Sequence, residues 1–257
     1  MYRQQTVALI VPVLDEAENI AQWLPQVDRT LVDEVIVADN GSTDESVDVA
    51  RRLGATAVIE PRRGYGSACL RGIAATGAEI LVFMDGDGSD DPSDLAAVVE
   101  ALDNPGIELV VGSRVLGDAD PGALTPVQRF GNALTCELVR LFWGVRYTDL
   151  GPFRAIRRRA LETLEMADPD FGWTIEMQVK AAQRGLGVVE IPVRRKRRHA
   201  GTSKVSGNLY GSYMAGRRIL GYVFGAFLED RCPSSPLATF FGAKTPRRET
   251  SAPNKTP

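Results

Sequence analysis

Short continuous apolar runs alternate with helical spacings through the first half of the chain. Residues 6–11, TVALIV, form a β-branched run without polar interruption, the pattern of a strand buried on both faces. Residues 17–27 place apolar positions at helical spacing, and residues 34–38 give a second strand. Ser42-Thr43-Asp44-Glu45 has the spacing of a capping box and predicts the start of the next helix. Residues 56–59 predict a third strand, 66–76 a helix of small residues, and 80–84 a fourth strand. Ser93 is expected to cap a helix over 94–102, and 108–111 reads as a fifth strand. This β-α-β-α order predicts an open α/β sheet with helices on both faces.

The second half is less regular. Helical spacing over 128–142 leads through a Gly/Pro-interrupted stretch to a strand-like 153–156. A helix over 175–184, a strand over 187–191, a basic loop over 194–204 and an apolar helix over 208–228 follow. Residues 231–257 are rich in Pro, Ser, Thr and charge, which predicts a disordered tail. With 257 residues and no repeats or long linker, one domain over 1–230 is expected.

Composition narrows the class. The formal net charge of −3 argues against a general nucleic-acid binder. Cys69, Cys136 and Cys232 lie far apart with no metal-ligand spacing, which predicts free thiols in a reducing, cytoplasmic setting. The first residues run directly into a strand without a cleavage-site pattern, so no secretory leader is expected. The apolar run at 219–228 is shorter than the roughly 20 residues that a spanning helix needs. His199 is the only histidine, which excludes a multi-histidine metal site.

The candidate chemistry lies in Met84-Asp85-Gly86-Asp87-Gly88-Ser89-Asp90-Asp91-Pro92, directly after the fourth strand. In open α/β sheets ligands bind beyond the carboxyl ends of strands. Carboxylates crowded this closely repel one another unless a cation or water screens them. Hard cations such as Mg²⁺ or Mn²⁺ take carboxylate oxygens and bridge them to phosphates. Asp85 and Asp87 are therefore the expected metal ligands, while Asp90 and Asp91 also suit the acidic N-terminal end of the next helix. Gly64-Tyr65-Gly66 does not follow the first strand and lacks a third glycine at 69, so it predicts a helix-opening turn rather than a dinucleotide fingerprint.

Several stretches, in order, resemble family 2 glycosyltransferases. Val11-Pro12-Val13-Leu14-Asp15-Glu16-Ala17-Glu18-Asn19-Ile20 is similar to the opening motif, and Val35-Ile36-Val37-Ala38-Asp39-Asn40-Gly41-Ser42-Thr43-Asp44 to the second. Asp85-Gly86-Asp87 resembles the metal-binding Asp-x-Asp, and Gly112-Ser113-Arg114 a further signature. Asp149-Leu150-Gly151-Pro152-Phe153-Arg154 and Phe171-Gly172-Trp173-Thr174-Ile175-Glu176 continue the likeness, which extends over about residues 6–220. Within the family the pattern resembles polyprenyl-phosphate sugar synthases, similar to dolichyl-phosphate mannose and glucose synthases. Asn40 stands where the second motif often has Asp, Leu14-Asp15 replaces Tyr-Asn, and Ser89 replaces a Gln; these departures bear on donor-base selectivity.

The resemblance implies a GT-A open mixed sheet and an inverting, metal-dependent transfer from a UDP- or GDP-linked hexose to a polyprenyl or dolichyl phosphate. It implies that Pro12, Leu14, Glu16 and Asp39 line the nucleotide pocket, and that Asp85 and Asp87 hold Mg²⁺ or Mn²⁺ on the diphosphate. Arg114 is then expected on phosphate, because a guanidinium matches phosphate oxygens. For Asp39 the alternative is a turn-forming residue before Asn-Gly.

Arg129, Trp173, Arg195 and Lys204 are candidates for the acceptor, with an ordinary surface arginine as the equal alternative for Arg129 and a buried core ring as the commoner outcome for Trp173. A phosphate acceptor needs no general base; a hydroxyl acceptor would, with Asp149 or Glu176 as candidates. The cluster Arg194-Arg195-Lys196-Arg197-Arg198, followed by a helix with Leu209, Tyr213, Leu220, Phe224 and Phe227 near one face, suits an anionic lipid surface. The same periodicity fits a helix that closes the core. Two rivals stay open: a soluble hydroxyl acceptor, and a non-catalytic sugar-nucleotide binder.

Overall fold

The computed structural model describes residues 1–200 and 209–231. Lys204, Cys232 and the expected tail over 232–257 lie outside the described residues. Seven strands are present: β1 (Val7–Val13), β2 (Glu34–Asp39), β3 (Thr56–Ile59), β4 (Ile80–Phe83), β5 (Ile107–Ser113), β6 (Arg154–Arg157) and β7 (Gly187–Pro192). They form one sheet in the order β3-β2-β1-β4-β6-β5-β7. β1 runs parallel to both β2 and β4, whereas β6 is antiparallel to β4 and β5. The strand order therefore reverses beside β1, opening a crevice between the carboxyl ends of β1 and β4.

Alternation along β1 builds both layers of core. Val7, Leu9, Val11 and Val13 face a cluster that includes Trp23, Leu95 and Val98, carried by α1 (Ala17–Trp23) and α4 (Leu95–Glu100). Ala8 and Ile10 face the opposite cluster, with Cys69, Phe83, Trp173 and Met177 from α3 (Tyr65–Ala74), β4 and α7 (Trp173–Arg184). The predicted strand run at 6–11 is thus buried on both faces, as its lack of polar residues requires.

Three local expectations need correction. The helix predicted over 17–27 ends at Trp23 and passes into a 3₁₀ turn, Leu24–Gln26, because Pro25 lacks the amide hydrogen that would continue it. The capping box at Ser42–Glu45 does not form: α2 (Ser46–Arg52) begins later, and Asp44 accepts from the Ser46 amide at 2.9 Å. Ser42 instead accepts from the Asp15 amide at 2.8 Å, tying the β2 turn to the end of β1. Asp91, not Ser93, caps the turn Pro92–Asp94 that leads into α4, by accepting from the Ser93 amide at 3.1 Å.

The C-terminal region adds a helical layer. α5 (Pro126–Trp143) starts in a capping box between Thr125 and Gln128 and ends at Gly144 in the left-handed conformation. α6 (Arg158–Leu164), absent from the sequence expectation, follows β6. α8 (Leu209–Arg231) packs Tyr222, Val223 and Ala226 against Cys136 and Val139 of α5 and Ile175 and Val179 of α7. α8 thus closes a core, one of its two expected readings: Phe227 of the expected line stacks on Phe142 at 4.0 Å, while Phe224 meets the same ring edge-on at 5.7 Å and stays 40% exposed. No helix among the described residues is long and apolar enough to cross a membrane.

Candidate active site

The ends of β1, β2 and β4 bring the sequence-predicted acids together. Gly86 sits so close to β1 that a Cβ there would lie 2.6 Å from Val13 and 2.9 Å from the Pro12 carbonyl. Its own carbonyl accepts from Trp23 Nε1 at 3.0 Å, which fixes the acidic loop over the β1 end. Within the loop, Asp90 accepts from the Asp85 amide at 2.9 Å and Asp87 from the Ser89 amide at 3.0 Å. Gly88 takes a positive φ of 74°, the conformation that allows this reversal. The turn leaves the Asp85 and Asp87 carboxylates partly open, 23% and 21% exposed, while Asp90 is fully buried.

Crowding raises the cost of charge here. Burial, together with the neighbouring Asp90 and Asp87, pushes the Asp85 carboxyl up to about 7. Burial likewise raises Glu16, partly offset by hydrogen bonds from Asn19 and Arg198. Among the described residues no group of three or more acidic, histidine or cysteine side chains converges as a metal cage, so a cation here would rest on the Asp85–Asp87 pair plus its substrate.

The basic loop lies directly against these acids. Arg195 Nη1 is 2.8 Å from Asp90 and 3.6 Å from Asp85. Lys196 is 2.9 Å from Asp91, and Arg194 is 3.1 Å from Asp94. Arg198 pairs with both Glu16 oxygens and lies 3.5 Å from Asp87 Oδ2. The 85–94 segment thus supplies counter-charges to the basic loop, with the Arg195 and Arg198 side chains mostly buried while Arg194 and Lys196 stay 52% and 44% exposed. Arg195, expected at the acceptor, is turned into the acidic cluster with its Nε buried and unbonded. A cavity of about 340 Å³ lies beside the loop, lined by Gln22, Trp23, Gln26, Arg198 and His199 among others.

The other predicted residues fall in different settings. Pro12 is buried within β1 beside Ala38, and Leu14 is half-buried at the strand's end. Asp39 is buried and its carboxylate accepts from the Gly41 amide at 3.0 Å and the Ser42 amide at 3.2 Å, the turn-forming arrangement. Arg114 spends Nε and Nη2 on Asp149, at 2.7 and 2.6 Å. Asp149 also accepts from the Arg114 amide, and Glu176 accepts from the amides of Ala167 and Asp168 and from Lys180. Both expected base candidates are therefore consumed as buried framework. Trp173 is fully buried, edge-on to Phe83 at 4.7 Å, so of its two readings, stacking on a ligand and packing in the core, the structure has the core ring. Arg129 is exposed in the first turn of α5.

Two groups escaped the sequence reading. Asn40 donates to the carbonyls of Glu60 and Arg62 and accepts from the Gly64 amide, bracing the loop before α3. An Asp there would set a carboxylate oxygen against two carbonyls, which accounts physically for Asn at this departure from the family pattern. Tyr65 donates from its hydroxyl to Asp85 at 3.2 Å. The pair Gly64 and Gly66 lets it do so: a Cβ on either would fall 2.2 or 2.0 Å from the carbonyls of Pro169 and Asp168. The helix-opening role expected of this Gly-Tyr-Gly is what the structure has.

An acidic loop beyond β4, facing the β1 and β2 ends of a mixed seven-stranded sheet, is the arrangement of GT-A glycosyltransferases. The chain belongs to glycosyl transferase family 2, whose model matches residues 8–165. It is 38% identical over 211 residues to an uncharacterized glycosyltransferase of Mycobacterium tuberculosis, covering 81% of this chain and 94% of that one. The polyprenol monophosphomannose synthase of Mycolicibacterium smegmatis is 30% identical over 226 residues, covering 79% and 82%. Among solved structures, glucosyl-3-phosphoglycerate synthase from M. tuberculosis with Mn²⁺, UDP and glucosyl-3-phosphoglycerate aligns with a TM-score of 0.68. Its identity is 25%, and the alignment covers 90% of this chain and 81% of that one.

Proposed function

We propose that this protein transfers a hexose from a UDP- or GDP-linked donor to a polyprenyl phosphate, with inversion and with Mg²⁺ or Mn²⁺ bound at Asp85 and Asp87. The fit of the cation rests on the donor set: two partly open carboxylates on one loop, with burial and the neighbouring Asp90 and Asp87 pushing the Asp85 carboxyl up to about 7. When bound, the cation neutralises the diphosphate leaving group. Pro12, Leu14 and Glu16 line the nucleotide side of the crevice. The Asp39 carboxylate, although it accepts two turn amides, keeps acceptor capacity for ribose hydroxyls. Arg114 is held rigid by Asp149 and adds positive charge that acts on Asp85 and Asp90. Tyr65 orients Asp85.

The observation that carries the acceptor assignment is the commitment of Asp149 and Glu176 to buried hydrogen bonds. An acceptor already anionic at neutral pH needs neither as a base. An exposed apolar line on α5 also supports a lipid-linked acceptor at a membrane surface: Val127, Phe130, Leu134 and Leu141 recur on one helical side, with Phe130 70% and Leu141 71% exposed. A second reading, a soluble phosphorylated acceptor, is favoured by the likeness to glucosyl-3-phosphoglycerate synthase. The experiment is a transfer assay with labelled UDP- and GDP-hexoses against polyprenyl phosphate and 3-phosphoglycerate in parallel. Label in the lipid phase supports the first reading; label only in the water-soluble product overturns it in favour of the second.

A further inference from the structure

The basic loop meets the acidic loop through contacts of two kinds. Arg195 is anchored: its amide donates to Asp118 O at 2.9 Å, its carbonyl accepts from the Asp120 amide at 2.9 Å, and its guanidinium rests on the buried Asp90 at 2.8 Å, with Asp85 farther off at 3.6 Å. The next residue continues this anchoring, since the Lys196 amide donates to Ser89 O at 2.8 Å. Arg198 differs, because among the described residues its own backbone makes no such bond to the acidic loop. Its side chain bridges Glu16 to Asp87, two acids from different strand ends, and Asp87 is one of the two proposed cation ligands. Its Nε bonds Ala200 O at 2.6 Å, and Ala200 is held in turn by Asn19, which bonds Glu16 at 2.6 Å. Arg198, Glu16, Asn19 and Ala200 thus form a closed circuit that fastens the loop over the acids.

We propose that Arg198 is a built-in counter-ion that occupies the place of the divalent cation in the cation-free protein, and that the cation and Arg198 compete for Asp87. The inference rests on the cation reading above. A guanidinium 3.5 Å from Asp87 Oδ2 supplies the positive charge that this carboxylate lacks when no metal is bound. A divalent ion on Asp87 repels that guanidinium at the same distance, so both cannot hold their positions. Binding of the cation with the donor diphosphate therefore detaches Arg198 from Asp87 and leaves it to the Arg198–Glu16–Asn19–Ala200 circuit.

The test is titration of Mn²⁺ alone into the full chain at low ionic strength, followed by calorimetry, for the wild type and four variants. Arg198→Gln removes the competitor and is expected to tighten Mn²⁺ binding about tenfold, a scale set by loss of one close charge pair. Arg198→Lys keeps the charge but loses the fork that spans two acids, and is expected to tighten binding less, by about threefold. It also carries the test should the Gln variant fail to fold. Lys196→Gln removes an equal charge from Asp91, and is expected to change affinity by less than about twofold, since its partner is not a cation ligand. Asp87→Asn is expected to abolish binding. Unchanged or weakened binding in both Arg198 variants overturns the proposal while leaving the cation reading intact. Equal tightening in Lys196→Gln also overturns it, by showing a general field effect. A wild type that does not bind Mn²⁺, or an Asp87→Asn protein that still does, overturns the cation reading itself.

Discussion

Two arginines, each facing buried or half-buried carboxylates, divide the site between them. Arg114 meets Asp149 in a two-point pair, and among the described residues the buried Asp149 forms an ion pair with Arg114 alone. Arg198 meets Glu16 and Asp87, and Asp87 is one of the two proposed cation ligands. The residue types are the same, but the fates differ because the acids differ. An acid with one partner makes a permanent bracket; an acid with two claimants makes a displaceable contact. Guanidinium–carboxylate geometry alone does not separate framework from switch. What separates them is whether something else has cause to bind the acid.

The comparison breaks most sharply at Asp149. Asp149→Asn leaves Arg114 without its counter-ion inside the fold and turns one of the two accepting oxygens into a donor facing other donors, so the protein should lose about 3 kcal/mol of stability. Chemical denaturation of the cation-free protein measures this; a loss within error would show that the bracket is dispensable. Next comes Asp87→Asn, which should lower transfer by about two to three orders of magnitude with little change in folding, because it relieves repulsion around Asp85. Steady-state rates alongside a melting curve separate the two effects. A smaller but specific loss, about tenfold to a hundredfold in kcat/KM, is expected for Arg114→Lys, since a point charge cannot both keep the Asp149 fork and hold its direction. Near-normal rates would make Arg114 an ordinary framework residue. The mildest change is Phe130→Glu on α5, which should weaken co-sedimentation with anionic vesicles while sparing transfer to a soluble short-chain polyprenyl phosphate. If vesicle binding is unaltered, the α5 line does not face lipid.

How much of this was legible in the sequence follows from how far apart the partners lie. The strand at 6–11, the acidic loop after 80–83 and Asp39 at the end of β2 are local signals, and the sheet placed them as their patterns predicted. The Asp39 turn was legible too, since Asn40-Gly41 follows it, although ribose contact was favoured over it. The basic loop was not. A run of Arg and Lys reads as a solvated face because its counter-charges at Asp90, Asp87 and Glu16 lie about 100 to 180 positions away. The Arg114–Asp149 bracket spans only 35 positions but joins two different elements, which hid it too, and with it the commitment of Asp149 to Arg114. For Trp173 the core reading, the commoner outcome for the residue type, is the one the structure has, with Phe83 and Tyr65 against the ring. Asn40 looked like a departure from a motif; only its three partners explain it.

The most direct test of the central claim is transfer of a labelled hexose from UDP- and GDP-linked donors to polyprenyl phosphate, with Mn²⁺ and again in EDTA, by the wild type and by Asp85→Asn. The account predicts label in the lipid for the wild type with Mn²⁺, and none in EDTA or in the variant. Undiminished transfer in EDTA, or by the Asp85→Asn protein, would contradict the assignment of this loop as the cation and diphosphate site.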